Sequence, residues 1–291
     1  MHPGAVVSFN ISRILCFLIC IEYVMIKVEF LGRFLKMIDI HTHIMPGIDD
    51  GADNLEESLA MAELAWDSGV STIVVTPHSN VRGTFENYDS PEWRRLFFKL
   101  QDYLKENGCR IKLVTGAEIY ASDHVADRIR NGALLPINNS RYYLMEIPFD
   151  ADPYWAEDIW YSVLDMGKIP VIAHPERYYC IQDNPAILYE WMKMGCLSQM
   201  NKGSVFGRFG RTAKRTAEIL LENNLISCAA SDAHSPYMRT TYMADIREYL
   251  LDMYGERRME RLLYRNPERI IKDQPVYSEN MSRPDGRHRF F

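Results

Sequence analysis

From Met37 onward, short apolar runs rich in β-branched residues alternate with longer stretches whose apolar residues recur three and four positions apart. The first pattern predicts strands at Met37–His41, Thr72–Thr76, Ile111–Thr115, Tyr142–Ile147, Pro170–Ala173, Leu197–Met200 and Ile226–Ala230. The second predicts helices. Asn54–Asp67 carries Leu55, Leu59, Ala62 and Trp66 on one face and stops before Gly69. Pro91–Glu106 carries Trp93, Phe97, Leu100 and Leu104 and ends at Gly108. Pro153–Met166, Pro185–Met194, Thr212–Asn223 and Tyr237–Tyr254 complete the set, with Pro early and Gly late in the expected sense. Strands alternating with helices imply a parallel sheet with right-handed crossovers. Seven βα units of this length can close into a barrel.

The polar residues at the predicted strand ends change the picture most. His41-Thr42-His43, Asp49-Asp50, Thr76-Pro77-His78, Gly116-Ala117-Glu118, Glu146, His174-Pro175 and Asp232-Ala233-His234 fall mostly just after the apolar runs. Residues i and i+2 of a strand share a face, so His41 with His43, and Asp232 with His234, can reach one ion together. Imidazole and carboxylate donors without thiolate suit manganese, iron or zinc. So many converging donors exceed what one ion takes, which predicts a multinuclear site. A closed sheet gathers strand ends over one mouth, whereas an open sheet spreads the outer ones apart. The ligand distribution therefore favours a barrel. Arg177 and Arg239 lie three and five residues beyond candidate histidines, and a guanidinium fork matches phosphate.

Composition bounds the alternatives. A chain of 291 residues with 47% hydrophobic and 25% charged residues can bury a sizeable core. A net charge of −6 argues against a general nucleic-acid binder. The six cysteines (Cys16, Cys20, Cys109, Cys180, Cys196, Cys228) lack zinc-finger spacing and read as reduced thiols of a cytoplasmic protein. None has an arginine six positions later, which disfavours a cysteine-based phosphatase loop. Residues 1–36 look foreign to the rest. Their apolar run is too short and broken for stable membrane insertion, so they read as an extension from an upstream start codon. A membrane-anchoring helix and an extra packed helix are the other readings. The domain is taken as 37–275, and 276–291 as a flexible polar tail. Glu92-Trp93-Arg94-Arg95 reads as a solvated charged face, with a homo-oligomer interface as the alternative.

Several of these segments carry a resemblance. Met-Ile-Asp-Ile-His-Thr-His at 37–43, Pro-Gly-Ile-Asp-Asp-Gly-Ala at 46–52, Thr-Pro-His at 76–78, Ala-His-Pro-Glu-Arg at 173–177 and Ser-Asp-Ala-His at 231–234 resemble the PHP (polymerase and histidinol phosphatase) superfamily. More narrowly, the chain resembles the bacterial PHP-type tyrosine-protein phosphatases of capsular and exopolysaccharide gene clusters, over about Met37 to Ile271. Ser79 stands where many relatives carry a second histidine, and Thr240-Thr241 follow Arg239 where a proline is frequent.

The resemblance implies a distorted seven-stranded (β/α) barrel of PHP type and three divalent metal ions, manganese foremost. It assigns His41, His43, Glu118 and Asp232 to a first ion. Glu118 bridges to a second ion held by Glu146 and His174, while Asp50, His78 and His234 hold a third. The implied chemistry is phosphomonoester hydrolysis by a metal-bridging hydroxide, with Arg177 and Arg239 clamping the phosphoryl group. The implied substrate is phosphotyrosine in the tyrosine-rich tail of a cytoplasmic kinase that controls polysaccharide export. A small-molecule phosphatase of the histidinol-phosphate type is the enzymatic alternative, and a metal-sensing docking module the non-enzymatic one. Asp49 reads either as a helix cap or as a neighbour of Asp50, and Asn201 as a residue that binds water behind the ligands. Tyr154, Tyr178 and Tyr179 read as core or rim packing rather than a phosphotyrosine pocket.

Overall fold

The computed structural model describes residues 37–278 and 280–284; the 1–36 extension and the end of the tail lie outside the described residues. The described residues form nine strands, all paired in parallel. They are β1 (Met37–Thr42), β2 (Val70–Val75), β3 (His78–Ser79), β4 (Lys112–Thr115), β5 (Glu118–Tyr120), β6 (Tyr142–Glu146), β7 (Ile169–Ala173), β8 (Leu197–Asn201) and β9 (Cys228–Ala230). One sheet runs β1-β2-β4 and the other β3-β5-β6-β7-β8-β9.

Nine strands rather than seven arise because two predicted strands continue beyond a break. Pro77 has no N–H to give the ladder, so β2 and β3 are separate pieces of one run. Gly116 and Ala117 separate β4 from β5. A Cβ on Gly116 would meet Val74 Cγ1 at 2.7 Å, so the two runs approach too closely there for any side chain. The interruption shifts no register: Val75 faces Thr115 before it and His78 faces Glu118 after it. Among the described residues no continuous ladder closes into a barrel. β1 and the segment after β9 meet through a Thr42–Ala233 bridge. There Asp232 N–H donates to His41 O, and His43 N–H donates to Ala233 O, each at 2.9 Å.

The longer helices are α1 (Leu55–Asp67), α2 (Pro91–Glu106), α3 (Pro153–Leu164), α4 (Ala186–Met194), α5 (Gly210–Glu222) and α6 (Ala244–Tyr254). Asn54, Ser90 and Asp152 cap the first three, each accepting a first-turn N–H. Helix α6 begins at Ala244, not at Tyr237 as its spacing predicts. Ser235 Oγ accepts the N–H of Tyr237 and Met238, and Arg239 takes a left-handed φ of 50°. A serine hydroxyl competing for backbone donors disfavours helix there. In the C-terminal segment, Ser282 N–H donates to Asn223 O at 3.0 Å.

Two apolar cores follow from strand alternation. Ile73, Val75, Met145 and Ile172 face the helices. Ile38, Ile40, Val74, Val114, Tyr142, Leu144, Val171, Ala173, Leu197, Cys228 and Ala230 face one another inside the strands. Two residues further along the inner face, Leu144 leads to Glu146, Leu197 to Gln199 and Ala230 to Asp232. The interior thus changes from apolar to polar toward the strand C-termini. In β1 the pairing register slips between Asp39 and Thr42.

Candidate metal centre

All nine predicted donor residues meet at that polar end. Nε2 of His41 lies 3.2 Å from Nε2 of His43 and 3.2 Å from Glu118 Oε1. Asp232 Oδ1 is 3.4 Å from the first imidazole and 3.5 Å from the second. Glu118 also reaches His174 Nε2 at 2.9 Å and His78 Nδ1 at 3.0 Å. Glu146 Oε1 is 3.2 Å from the same His78 nitrogen. On the outer side Asp50 Oδ1 is 3.4 Å from His78 Nε2 and 3.5 Å from His234 Nε2. The donor atoms fall into three groups: His41, His43 and Glu118; His78, Glu118 and Glu146; and His43, Asp50, His78 and His234. His78 therefore stands between the second and third groups, with a different nitrogen toward each.

These spacings fit cations. Metal–ligand bonds of about 2.1 Å put neighbouring ligand atoms roughly 3.0–3.4 Å apart. Two imidazole Nε2 atoms and two carboxylates at 3.2–3.5 Å meet that spacing. Nδ1 of His78 and of His174 are buried without hydrogen-bond partners, although the former is close to two carboxylates. Buried polar atoms without partners are costly, and a coordinated ion satisfies such an atom directly.

Burial works against charge on His43, yet its hydrogen bonds to Asp232, Asp49 and Glu118 raise its pKa well above the ordinary value. Burial also opposes ionisation of Glu118 and Asp232, but the surrounding histidines, with Arg239 at Asp232, hold both carboxyls well below theirs. His234 is pushed down to about 3 by burial and by the charge on His43. Metal-free, the site is a network of buried histidine–carboxylate pairs whose protons an entering cation must displace.

Backbone strain marks the same place. His174, Asp232 and Arg239 have φ of 34°, 50° and 50°, the left-handed region that non-glycine residues rarely enter. Gly51 sits tight behind His43, where a Cβ would lie 2.1 Å from the His43 carbonyl.

The arginines line one wall. Arg239 Nη2 is 2.5 Å from Asp232 Oδ2, leaving its buried Nε without a partner. The Arg177 guanidinium lies 4.5 Å from the ring centres of both Phe149 and Phe209, and its Nη1 is 3.7 Å from Asp232 Oδ2. Beside it a cleft of about 300 Å³ is lined by Phe149, Tyr179, Gln182, Phe209 and Arg211. Tyr179 and Tyr154 are exposed, whereas Tyr178 is a core strut, its hydroxyl donating to Ala173 O at 2.8 Å. A cavity of about 530 Å³ lies elsewhere, around Met37 at the N-terminal end of β1.

Sequence reasoning missed Phe149, Phe209 and Gln199, and left Asp49 open. Asp49 Oδ2 accepts from His43 Nδ1 at 2.8 Å and from the His78 N–H at 3.0 Å, so it braces two candidate ligands and caps no helix. Alternation along β8 from Leu197 would have flagged Gln199. Nothing in the local pattern marks the two phenylalanines.

Comparison with known proteins identifies the relatives of this chain. The family model described as "Capsular polysaccharide synthesis, CpsB/CapC" matches residues 37–272. Tyrosine-protein phosphatase YwqE of Bacillus subtilis is 35% identical over 243 residues, 84% of this chain and 94% of that protein. Tyrosine-protein phosphatase CpsB of Streptococcus pneumoniae is 33% identical over 247 residues, 82% of this chain and 100% of that protein. A solved structure, from work on YwqE and CpsB as metal-dependent tyrosine phosphatases, superposes with a TM-score of 0.79 at 35% identity, covering 85% of this chain and 99% of that one. A lactonase from Listeria monocytogenes shares the fold at 14% identity, with a TM-score of 0.55 over 83% of this chain and 96% of its own. With a family match across most of its length and relatives above 30% identity, the chain belongs to the CpsB/CapC family of capsular polysaccharide synthesis proteins.

Proposed function

We propose that this protein is a metal-dependent protein-tyrosine phosphatase acting in capsular polysaccharide synthesis. The observation that carries the reading is the convergence of nine histidine and carboxylate residues beside two guanidinium groups on one wall. We read residues 37–275 as one domain and its strands as seven βα units of a distorted barrel, two of them broken. His41, His43, Glu118 and Asp232 hold one divalent ion. Glu118, Glu146 and His174 hold a second, and Asp50, His78 and His234 a third, with manganese the favoured metal and iron or zinc the alternatives. When bound, such ions lower the pKa of a coordinated water and offset phosphate charge.

The chain's own residues do the rest. Arg177, held between Phe149 and Phe209, and Arg239, with its free Nε, bind phosphoryl oxygens and stabilise charge that develops on them. Asp232 aligns both arginines through Oδ2 while Oδ1 faces His41 and His43. Phe149, Tyr179 and Phe209 offer ring surfaces to a substrate side chain at the mouth. Tyrosine phenol, with a pKa near 10, leaves more readily than a serine alkoxide. The favoured partner is the tyrosine-rich tail of a polysaccharide-export kinase in the cytoplasm. Among the described residues no helix is long and apolar enough to cross a membrane.

The test is hydrolysis of a phosphotyrosine peptide with Mn²⁺ and after chelation. Turnover that needs metal and disappears in Asp232→Ala supports the reading. A preference for histidinol phosphate over the peptide would replace it with a small-molecule phosphatase. Absence of turnover on either by a metal-loaded, folded protein would leave a binding module.

A further inference from the structure

Strand β8 contributes no donor to the metal groups, yet its C-terminal half is polar and fully buried. Gln199 and Asn201 have no exposed surface. Buried amides of this kind are retained only when each donor and acceptor is matched.

Here the match has a single direction. Asp232, as a carboxylate, can only accept. Asn201 Nδ2 donates to Asp232 Oδ2, which turns the Asn201 Oδ1 toward Gln199. Gln199 Nε2 donates to that oxygen at 2.9 Å, which in turn presents Gln199 Oε1 to His41. The contact to His41 Nδ1 is 2.7 Å, so Nδ1 keeps its proton, and Nε2, the nitrogen left to give up its proton to a cation, faces His43, Glu118 and Asp232. Reversing any link would set two acceptors or two donors against each other. Asn201 is itself fixed, since its N–H donates to Glu176 Oε1 at 3.0 Å.

We propose that Gln199 and Asn201 form a one-way amide relay that positions the metal centre, selecting the His41 tautomer at one end and reserving Asp232 Oδ1 at the other. The relay reaches across β8 to ligands carried by β1 and by the segment after β9. It differs from the brace behind His43, where the carboxylate of Asp49 accepts from Nδ1. The two histidines of the His-Thr-His pair are therefore oriented by partners of different charge. This inference rests on the metal-centre reading above, and Gln199 and Asn201 are positioning residues that act through ligands.

The test is Mn²⁺ binding by the purified protein, measured by competition with a chromogenic chelator, for wild type, Gln199→Met, Asn201→Leu and the double variant. Thermal unfolding of the chelated proteins runs alongside. Each single variant is expected to bind Mn²⁺ about 10–100-fold more loosely, as for other residues that orient metal ligands. The double variant should bind about as loosely as the weaker single, because a chain already broken cannot be broken again. Gln199→Glu is the isosteric check: it keeps an acceptor for His41 but sets an oxygen against Asn201 Oδ1, and should also loosen binding. Wild-type affinity in the singles or in Gln199→Glu would overturn the relay, even with a lowered melting point. So would a double variant whose loss equals the product of the singles. Failure of the wild type to bind Mn²⁺ would instead overturn the metal reading on which the relay depends.

Discussion

The interior of the strands divides into two regions built by the same alternation. The lower one is apolar, with Tyr142, Leu144, Val171, Leu197 and Cys228 packed face to face. The upper one is polar, with Glu146 two residues beyond Leu144, Gln199 two beyond Leu197, and Asp232 just past the end of β9. The floor holds side chains that need nothing beyond one another. The mouth holds buried nitrogens without hydrogen-bond partners, Nδ1 of His78 and His174 and Nε of Arg239, and its backbone enters left-handed φ at His174, Asp232 and Arg239. Such strain costs of order 1–3 kcal/mol per residue and persists where surrounding structure overdetermines it. The comparison teaches that the floor carries folding free energy and the mouth consumes part of it.

The sharpest way to break this division is a pair of substitutions two residues apart on one strand face. Leu144→Ala should cost about 2–5 kcal/mol of stability by emptying the floor, with Mn²⁺ affinity of the folded protein unchanged. Glu146→Gln should reduce turnover on the order of 10²–10³-fold, comparable to losing a transition-state donor elsewhere, with the chelated protein melting near wild type. Denaturant unfolding and phosphopeptide kinetics on both variants read this out. If the two effects exchanged places, the division would be wrong.

Next in size is the wall. Arg177→Lys keeps the charge and loses the planar fork and the stacking on Phe149 and Phe209. We expect kcat/KM on a phosphotyrosine peptide to fall on the order of 10–100-fold, about 1.5–3 kcal/mol for a charged hydrogen bond lost, without loss of Mn²⁺ binding.

The pH profile separates the regions without mutation. In chelated protein, the raised pKa of His41, His43 and His78 gives stability that is complete below about 6.5 and lost as pH rises through their folded values. The lowered pKa of Glu118 and Asp232 gives stability present above about 4.5 and lost as pH falls through theirs. His234, at about 3, opposes the first group by favouring the unfolded state as pH drops below about 6.5. With three histidines against one, chelated protein should be more stable at pH 6 than at pH 9. Mn²⁺ should reverse that order, because ligands bind metal deprotonated. Melting curves at both pH values, with and without chelator, decide it.

The smallest expected effect is a control. Ser90→Ala removes the cap that accepts the Trp93 N–H and should cost about 1 kcal/mol, with turnover unchanged.

The mouth was more legible in the sequence than the sheet that builds it. Charged and imidazole residues after apolar runs stand out, so all nine donors and both arginines were visible, and the structure brings them together. Strand number was not visible, because Pro77 and Gly116 interrupt runs whose register is set by partners distant in sequence. The false start of α6 came from apolar spacing that ignores a serine hydroxyl competing for N–H groups. Gln199 was overlooked because a neutral amide within a strand carries no chemical signature of its own. Which ion each donor serves depends on distances that spacing alone does not contain.

One feature of the fold bears on mechanics as much as on chemistry. The first strand and the segment after the last are joined by a bridge at Thr42 and Ala233, and contacts across that seam span about 190 positions of chain. His41 and His43 stand on one side of it, Asp232 and His234 on the other. A cation held from both sides would therefore act as a clasp that reinforces this hydrogen-bonded seam, and a chelator would cut it. Amide hydrogen exchange at His43 and Asp232 should quicken when the clasp is cut, while the β6–β7 ladder on the far side keeps its protection.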